Sequence, residues 1–287
     1  MKLDDVRTSD NVEDRRGMSP AGGFGGFGGG GGGMIRTGGL GIGGLLLLLV
    51  VSYLFGIDPL SLLSPDQTAP GTATSAPGQP VTPSSDASAV FASKILKDTE
   101  ETWGQIFAQS GQRYPPPTLV LFDDSVESAC GLSSAAVGPF YCPGDRKVYL
   151  DLSFFRELDR RFGAPGDFAQ AYVIAHEVGH HVQNLVGALQ NGGGNAQSVR
   201  QELQADCLAG VWGHAAAGRN LLDPGDVDEG LRAASAIGDD TLQRRSGGRV
   251  MPESFTHGSS AERVTWLRRG LESGRVDACN TFEDSSR

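Results

Sequence analysis

Basic side chains are scarce and scattered in this 287-residue sequence, which has 24 Lys and Arg residues against 34 Asp and Glu residues. The net charge is −10 at pH 7, and no stripe of Lys and Arg is present. Contacts with nucleic-acid phosphates need clustered basic residues, so the composition argues against a nucleic-acid partner. The four cysteines form no Cys-x-x-Cys pair, which argues against a cysteine zinc site as well.

Charged residues are absent altogether from residues 37–57, an apolar run that includes the sequence GGLLLLLVVSYLFG. A helix of this length, at about 1.5 Å per residue, crosses a hydrocarbon core of roughly 30 Å. The run therefore predicts one transmembrane helix. A cleaved signal peptide is the alternative interpretation, although its apolar core is usually shorter and no clear small-x-small cleavage site follows here.

The distribution of positive charge around this run predicts its orientation. No basic residue follows it until Lys94, whereas several precede it, namely Lys2, Arg7, Arg15, Arg16 and Arg36. Since positive charge beside a span stays in the cytoplasm, we expect a cytoplasmic N-terminus and an extracytoplasmic (periplasmic) remainder. The protein would then be a single-pass protein of the cell (inner) membrane.

Composition divides the rest of the chain into three parts. Residues 1–36 are charged and then glycine-rich, which predicts a disordered cytoplasmic tail. Residues 58–88 are rich in Pro, Ser, Thr and Gly and predict an extended linker between membrane and domain. The folded domain is therefore expected over residues 89–287.

All four cysteines lie beyond the apolar run, at Cys130, Cys142, Cys207 and Cys279. In an oxidising compartment they predict two disulfides, with three possible pairings. Local spacing favours a Cys130–Cys142 pair. Cys207 would then pair with Cys279 and tie the C-terminal end to the domain. Free, buried thiols are the alternative.

The hydrophobic pattern of the domain predicts an α+β fold, mainly helical with a small sheet. Apolar residues recur at helical spacing between Val90 and Phe107, and two short β-rich runs follow at 117–122 and 147–152. We take the second of these runs as a candidate sheet edge. Further helices are expected near residues 154–161, 166–186, 196–217, 225–238 and 260–272.

Three of the five histidines fall in one short stretch, AHEVGHHVQ at 175–183. On a helix His176 and His180 are one turn apart on the same face, so their imidazoles can converge on one ion. Ile174, Val178 and other apolar residues form a stripe on the opposite side, which lets the helix bury its back in a core. A solvated histidine cluster is the alternative. His181 borders the apolar stripe, and we expect it to pack rather than bind metal.

Glu177 projects beside the ligand face and away from direct coordination. This is the position of a general base that takes a proton from a water on the metal, as in His-Glu-x-x-His metalloproteases. Two histidines leave a zinc site incomplete, and a carboxylate is a usual third ligand. The segment QELQAD places Glu202 and Asp206 four residues apart on the next helix. We predict that Glu202 binds the metal and that Asp206 accepts the free N–H of a ligating histidine; a surface acidic pair is the alternative.

The pair of motifs resembles that of the gluzincin metallopeptidases. More widely, the chain resembles the putative neutral zinc metallopeptidases, a family of bacterial membrane-anchored proteins. The matching segments are NVEDRRG (11–17), AVGPFYCP (136–143), KVYLDLSFF (147–155), AHEVGHHVQ and QELQADCLAG (201–210). This resemblance implies a zincin-like domain that binds Zn²⁺ through His176, His180 and Glu202, with Glu177 catalytic.

An amide hydrolase also needs a donor for the oxyanion that forms on the substrate carbonyl. The segment HGSSAER offers His257 and Arg263 as catalytic candidates, although Arg263 could instead pair with an acid. Its spacing resembles the His-Pro-x-x-x-x-Arg segment of membrane-linked gluzincins, with glycine in place of proline. His214 lies among alanines and is expected to pack.

These features together predict a membrane-anchored, extracytoplasmic zinc metallopeptidase that acts on a peptide or protein substrate. Two alternatives stay open. One is a catalytically idle membrane adaptor that keeps the peptidase fold, and the other is a zinc hydrolase of a non-peptide amide. The sequence gives no oligomeric state.

Overall fold

The computed structural model of the chain describes residues 1–18, 86–189 and 193–282. The predicted transmembrane helix at 37–57 and nearly all of the predicted linker at 58–88 lie outside these residues. Across the described ranges, no helix combines the length and apolar character that a membrane crossing requires.

The core of the fold is a four-stranded mixed sheet with a separate two-stranded hairpin. The strands are β1 (Val12–Asp14), β2 (Thr118–Phe122), β3 (Ser125–Ser128), β4 (Gly131–Ser134), β5 (Phe140–Cys142) and β6 (Lys147–Asp151). The larger sheet has the order β1-β2-β6-β5, in which β1, β2 and β6 are parallel and β5 is antiparallel to β6. The hairpin pairs β3 with β4.

Strand β2 is apolar at successive positions because it is covered on both faces, as the inner strands of parallel sheets are. Leu119 and Leu121 face the main core, whereas Val120 and Phe122 belong to a smaller apolar cluster on the other side. Strand β6 is likewise covered on both faces, and it pairs with β2 on one side and β5 on the other. The predicted strands at 117–122 and 147–152 are thus confirmed, but the expectation that the second is a sheet edge is wrong. The edge next to it is β5.

Seven α-helices complete the described part of the chain. They are α1 (Ala87–Gln109), α2 (Ser153–Arg160), α3 (Asp167–Leu185), α4 (Gly194–Gly218), α5 (Asp226–Ala236), α6 (Asp239–Arg245) and α7 (Ser260–Ser273). Every helix predicted between residues 89 and 287 is present within a few residues of its expected bounds, and α6 is additional. The α+β class is confirmed. A capping box in which Ser259 and Glu262 satisfy each other's backbone N–H begins α7.

Glycines allow the long helices to approach closely. A Cβ atom on Gly179 of α3 would lie 3.0 Å from the carbonyl oxygen of Ala205 on α4. A Cβ on Gly270 of α7 would lie 2.0 Å from the carbonyl oxygen of Cys207, also on α4. Larger side chains at these two positions would push α3 and α7 away from α4, and α3 and α4 carry the predicted metal ligands.

Both predicted disulfides are present, and no cysteine is free. Cys130–Cys142 joins the loop after β3 to the last residue of β5, and Cys207–Cys279 joins α4 to the C-terminal segment. Because the second bridge closes a loop with a sequence separation of 72 residues, the chain-entropy model assigns it about 4 kcal/mol of stabilisation. It also fixes one side of the helix that carries Glu202.

The prediction that residues 1–36 form a disordered tail is wrong for residues 1–18. These residues belong to the same compact unit as the domain, and β1 is an edge strand of its main sheet. The composition is polar, but its charges are paired within the fold. Lys147 donates to Glu13 at 2.7 Å, Arg16 binds Asp14 at 2.7 Å, and Leu3 lies in the main core.

Candidate metal centre

Helix α3 brings His176 and His180 to one site while its other side chains enter the core. Ile174, Val178 and Val182 are almost completely buried, which anchors the helix as the apolar stripe predicts. The two imidazole rings lie 4.8 Å apart between centroids and nearly perpendicular to each other. Their Nε2 atoms both point toward Glu202 of α4.

The three side chains form a group whose ligand atoms all lie within 4.8 Å of one another. Nε2 of His176 is 3.2 Å from one carboxylate oxygen of Glu202, and Nε2 of His180 is 3.4 Å from the other. Tetrahedral zinc with bonds of about 2.0–2.1 Å places neighbouring ligand atoms roughly 3.3 Å apart. The donor atoms therefore suit zinc in both chemistry and spacing.

Other side chains hold the opposite ring nitrogen of each histidine. Nδ1 of His176 is 2.9 Å from Asp206, as the sequence predicts for this carboxylate. Nδ1 of His180 is 2.8 Å from the amide oxygen of Gln183, whose own amide nitrogen donates to Gln204 at 2.9 Å. With both Nδ1 atoms engaged, the Nε2 atoms are left for the metal. Such partners orient metal-binding imidazoles and fix their tautomers.

Arg263 lies in the interior, where it contacts Asp206 and Tyr172 beside the ligands. It is 3% exposed, and its guanidinium binds both oxygens of Asp206 at 2.9 Å. Tyr172 donates to the same carboxylate at 2.5 Å and accepts from Arg263 at 3.1 Å. The alternative for Arg263, pairing with an acid, is confirmed, and its oxyanion role stays a prediction. Arg263 neutralises Asp206 in the interior.

Electrostatics keep the acids of the site ionised. Burial alone would raise the pKa of Glu202, but the charge of His180 and hydrogen bonds from both histidines outweigh it and hold this pKa well below its usual range. Burial is likewise outweighed at Asp206, where Arg263 and His176 lower the pKa to about 2. In the metal-free site, burial would lower the pKa of His176, but Asp206 and Glu202 raise it to about 10. Metal must displace this proton, so affinity should fall at low pH.

Glu177 is buried beside the ligands and takes no part in the ligand group. Burial raises the pKa of Glu177, and the neighbouring positive charges of His176 and His180 oppose that rise. A carboxylate with a raised pKa, held next to a metal position, has the property required of a general base. Side chains of His180 and Glu202 are 12% and 17% exposed, so the site is reachable from solvent. Three protein ligands and an accessible fourth position are typical of catalytic zinc sites.

A family model described as "Putative neutral zinc metallopeptidase" matches residues 1–282. The chain belongs to this family. It is 45% identical to the uncharacterized protein YpfJ of Escherichia coli K12 over 297 aligned positions, which cover 99% of this chain and all of that protein. It is also 45% identical over 185 positions to the uncharacterized protein Rv2575 of Mycobacterium tuberculosis, covering 59% of this chain and 63% of that one. No solved structure matches.

In this member of the zinc metallopeptidase family, His257 is held by a carboxylate that the sequence did not indicate. Nδ1 of His257 is 3.2 Å from Asp239, and the same carboxylate accepts the backbone N–H groups of Thr256, His257 and Gly258 at 2.7 to 3.1 Å. The hydrogen bond that His257 donates to Asp239 raises the pKa of His257, against the opposing effect of burial. The side chain is 51% exposed.

The loop that carries His257 lies along α4 just before Glu202. Ser198 donates to the carbonyl of Thr256 at 2.8 Å, and a Cβ on Gly258 would lie 3.2 Å from Leu203. Gly258 has a φ of 93°, which proline cannot adopt because its ring fixes φ near −65°. The glycine that replaces proline in the related His-Pro segment is therefore required by the backbone here.

The remaining histidines make structural contacts: His181 is buried as expected, whereas His214, which the sequence predicts to pack, is exposed. Nε2 of His181 is 2.7 Å from the carbonyl oxygen of Pro115, and its Nδ1 is 3.0 Å from the hydroxyl of Tyr141 on β5. Burial lowers the pKa of His181 to about 4, so the ring is neutral. Nδ1 of His214 is 2.8 Å from the carbonyl oxygen of Leu271. Neither belongs to the ligand group.

Proposed function

We propose that the chain is a zinc-dependent metallopeptidase that hydrolyses peptide bonds in a peptide or protein substrate. One observation carries this proposal: His176, His180 and Glu202 converge with zinc-compatible spacing while Glu177 lies beside them with a raised pKa. Zinc, when bound, would polarise the substrate carbonyl and lower the pKa of a water. Glu177 accepts the proton that the attacking water gives up, and later donates it to the leaving amine.

His257 is the proposed donor to the oxyanion of the substrate. Because Asp239 engages Nδ1, a protonated His257 has its Nε2–H available for the substrate oxygen. The Asp239 carboxylate accepts the backbone N–H groups of residues 256–258, which fixes the position of this ring before a substrate binds. Preorganised donors of this kind lower the barrier because they need no rearrangement as charge develops.

Asp239→Asn should move the alkaline limb of the pH–rate profile to lower pH and lower kcat by roughly 10-fold, with a smaller change in KM. The carboxylate raises the pKa of His257, so its removal lets the ring lose its proton at a lower pH. The measurement is kcat and KM between pH 6 and 10. His257→Ala should abolish the same limb, and adding Asp239→Asn to it should change nothing further. An unchanged profile in Asp239→Asn would remove His257 from the mechanism.

Strand β5 is the proposed docking edge for the substrate backbone. It pairs with β6 on one side, and no other described strand pairs with it. Tyr141 of β5 contacts His181, the residue after a ligand, and accepts a hydrogen bond from Asn184 at 2.8 Å. An added peptide strand along β5 would therefore run beside α3, and strand addition is a common way for proteins to bind extended peptides.

We further propose that the domain works outside the cytoplasm and that the apolar run at 37–57 attaches the chain to the cell membrane. Two disulfides with no free cysteine support an oxidising compartment, because such bonds are rare in the cytosol. The uninterrupted apolar sequence supports contact with lipid.

The test of this function is cleavage of a mixed peptide library by the purified full chain. We expect cleavage that a chelator abolishes and added zinc restores. A zinc-loaded protein that cleaves no peptide but hydrolyses other amides would favour a non-peptide substrate. Zinc-loaded protein without any hydrolysis would favour the idle adaptor and contradict the proposal.

A further inference from the structure

Strand β1 joins residues before the apolar run to the same sheet as residues that follow it. Val12, Glu13 and Asp14 pair in parallel with Leu119, Val120 and Leu121 of β2. Backbone hydrogen bonds extend the ladder at both ends, from Leu119 to the carbonyl of Asn11 at 2.9 Å and from Arg15 to the carbonyl of Leu121 at 2.8 Å. A backbone ladder of this kind forms only between segments in direct contact.

Side-chain contacts along residues 1–18 reach several elements of the domain. Ser9 donates from its backbone N–H to Ser93 of α1 at 3.0 Å and from its hydroxyl to Glu100 of α1 at 2.5 Å, and Asn11 donates to Glu100 at 2.8 Å. Gly17 N–H donates to Asp123 at 2.9 Å, next to the end of β2. The segment is thus fixed from its beginning to its end, and the contacts are not confined to one strand.

Two residues at or close to the ends of segment 19–85, which lies outside the described residues, also come together. Arg16 forms an ion pair with Asp86, the residue that caps the N-terminus of α1. The described residues on either side of segment 19–85 therefore lie next to each other in the fold. The apolar run 37–57 lies in sequence between these two points.

We infer that residues 1–18 and 86–282 lie on the same side of any membrane to which the chain is attached. A single crossing between residues 18 and 86 would place β1 and β2 on opposite faces of a bilayer, about 30 Å apart. The sheet excludes that arrangement. This replaces the prediction of a cytoplasmic N-terminus with the domain outside.

Much of the positive charge before the apolar run forms ion pairs within the fold, so it does not indicate the orientation of the run. Arg15 pairs with Glu13, Arg16 with Asp14 and Asp86, and Lys2 with Asp223. These basic residues form ion pairs on the domain surface, and these pairs account for their presence before the apolar run. The positive-inside rule counts basic residues by sequence alone and so includes residues that are paired within the fold.

Single cysteines test the inference in the full chain. Thr8 and Gln112 are both exposed; in sequence, Thr8 precedes the apolar run and Gln112 follows it. The native cysteines are all in disulfides. Thr8→Cys and Gln112→Cys are treated separately with a membrane-impermeant maleimide in bacterial spheroplasts, before and after detergent. We expect the two sites to behave alike, either both labelled in intact spheroplasts or both only after detergent. Labelling of one site alone before detergent would overturn the inference.

A second measurement is independent of which compartment is involved. Arg16→Cys combined with Asp86→Cys should be joined by a short bismaleimide, so that protease cutting between residues 18 and 86 leaves the two fragments attached. Attachment is read on a denaturing gel, where either single variant is the control and should release its fragments. Separation of the fragments in the treated double variant, with both cysteines modified, would show that β1 is not docked in the cell.

Discussion

Glu177→Gln should lower kcat/KM for peptide cleavage by about 10³-fold, within the range that general acid–base catalysis contributes. Glutamine has the size of glutamate but cannot accept the proton of the attacking water. Glu177 lies beside the ligand group and is not part of it, so bound zinc should stay at the wild-type level. The measurements are kcat and KM on one peptide cleaved by the wild type, together with the metal content of the same samples.

The matched control for this substitution is Glu272→Gln on the exposed surface of α7, which should keep full activity and full zinc. Activity near the wild-type level in Glu177→Gln would mean that another group takes the proton. Loss of zinc together with activity would mean that Glu177 supports the site structurally, because a base that only moves a proton leaves metal binding intact.

Asp206→Ala should be the most destabilising single change at the site. It leaves the guanidinium of Arg263 buried without its partner, and it removes the acceptor for Tyr172 and His176. Loss of one member of a buried ion pair costs about 3–5 kcal/mol, and loss of a carboxylate behind a metal-binding histidine weakens metal affinity about 10–100-fold. Urea unfolding of the zinc-free protein and zinc competition with a chelator measure the two effects separately.

The stabilisation from Asp206 should depend on pH in one direction. Its pKa falls from 3.8 to about 2 on folding, so its contribution is complete above about pH 4 and is lost as the pH falls toward 2. Asp206→Ala should lack this part of the acid transition. Asp206→Ala combined with Arg263→Met should recover stability but not zinc affinity, since no unpaired charge is then buried. Wild-type stability in Asp206→Ala alone would contradict the buried ion pair.

The convergence of His176, His180 and Glu202 could be predicted because local helical geometry defines most of it. His176 and His180 are one helical turn apart, and Glu202 and Asp206 repeat that spacing on the next helix, so each pair shares a face whatever the tertiary fold. Tyr172 and Gln183 follow the same rule, at four residues before His176 and three after His180. Their role was missed because a tyrosine or glutamine beside a histidine has many other uses.

Asp239 could not be found in this way. It acts on His257 from the first turn of α6, and the contact depends on how the loop at 246–259 returns along α4. The surroundings of Arg263 could not be predicted for a related reason. Spacing brought it near the site, but only packing shows that it meets Asp206 from behind.

Two strands form without an apolar pattern and so could not be predicted from the sequence. Residues 12–14 are Val-Glu-Asp and read as part of a charged tail, yet the backbone ladder and paired charges hold them in the sheet. Strand β5 is only three residues long and ends in a disulfide, so the sequence pattern does not reveal it. The pattern therefore indicates β6 as the edge. Long apolar strands and amphipathic helices, in contrast, were placed within a few residues.

The central claim is that two histidines and one glutamate hold a single catalytic zinc, and direct zinc binding tests it most closely. Titration of the metal-free full chain near pH 7.5 should give one zinc per chain, and X-ray absorption should show two nitrogen donors and a carboxylate oxygen from the protein. Glu202→Ala should lose that zinc, whereas Glu272→Ala on the exposed face of α7 should retain it. No zinc bound by the wild type at this pH, or full zinc in Glu202→Ala, would contradict the account.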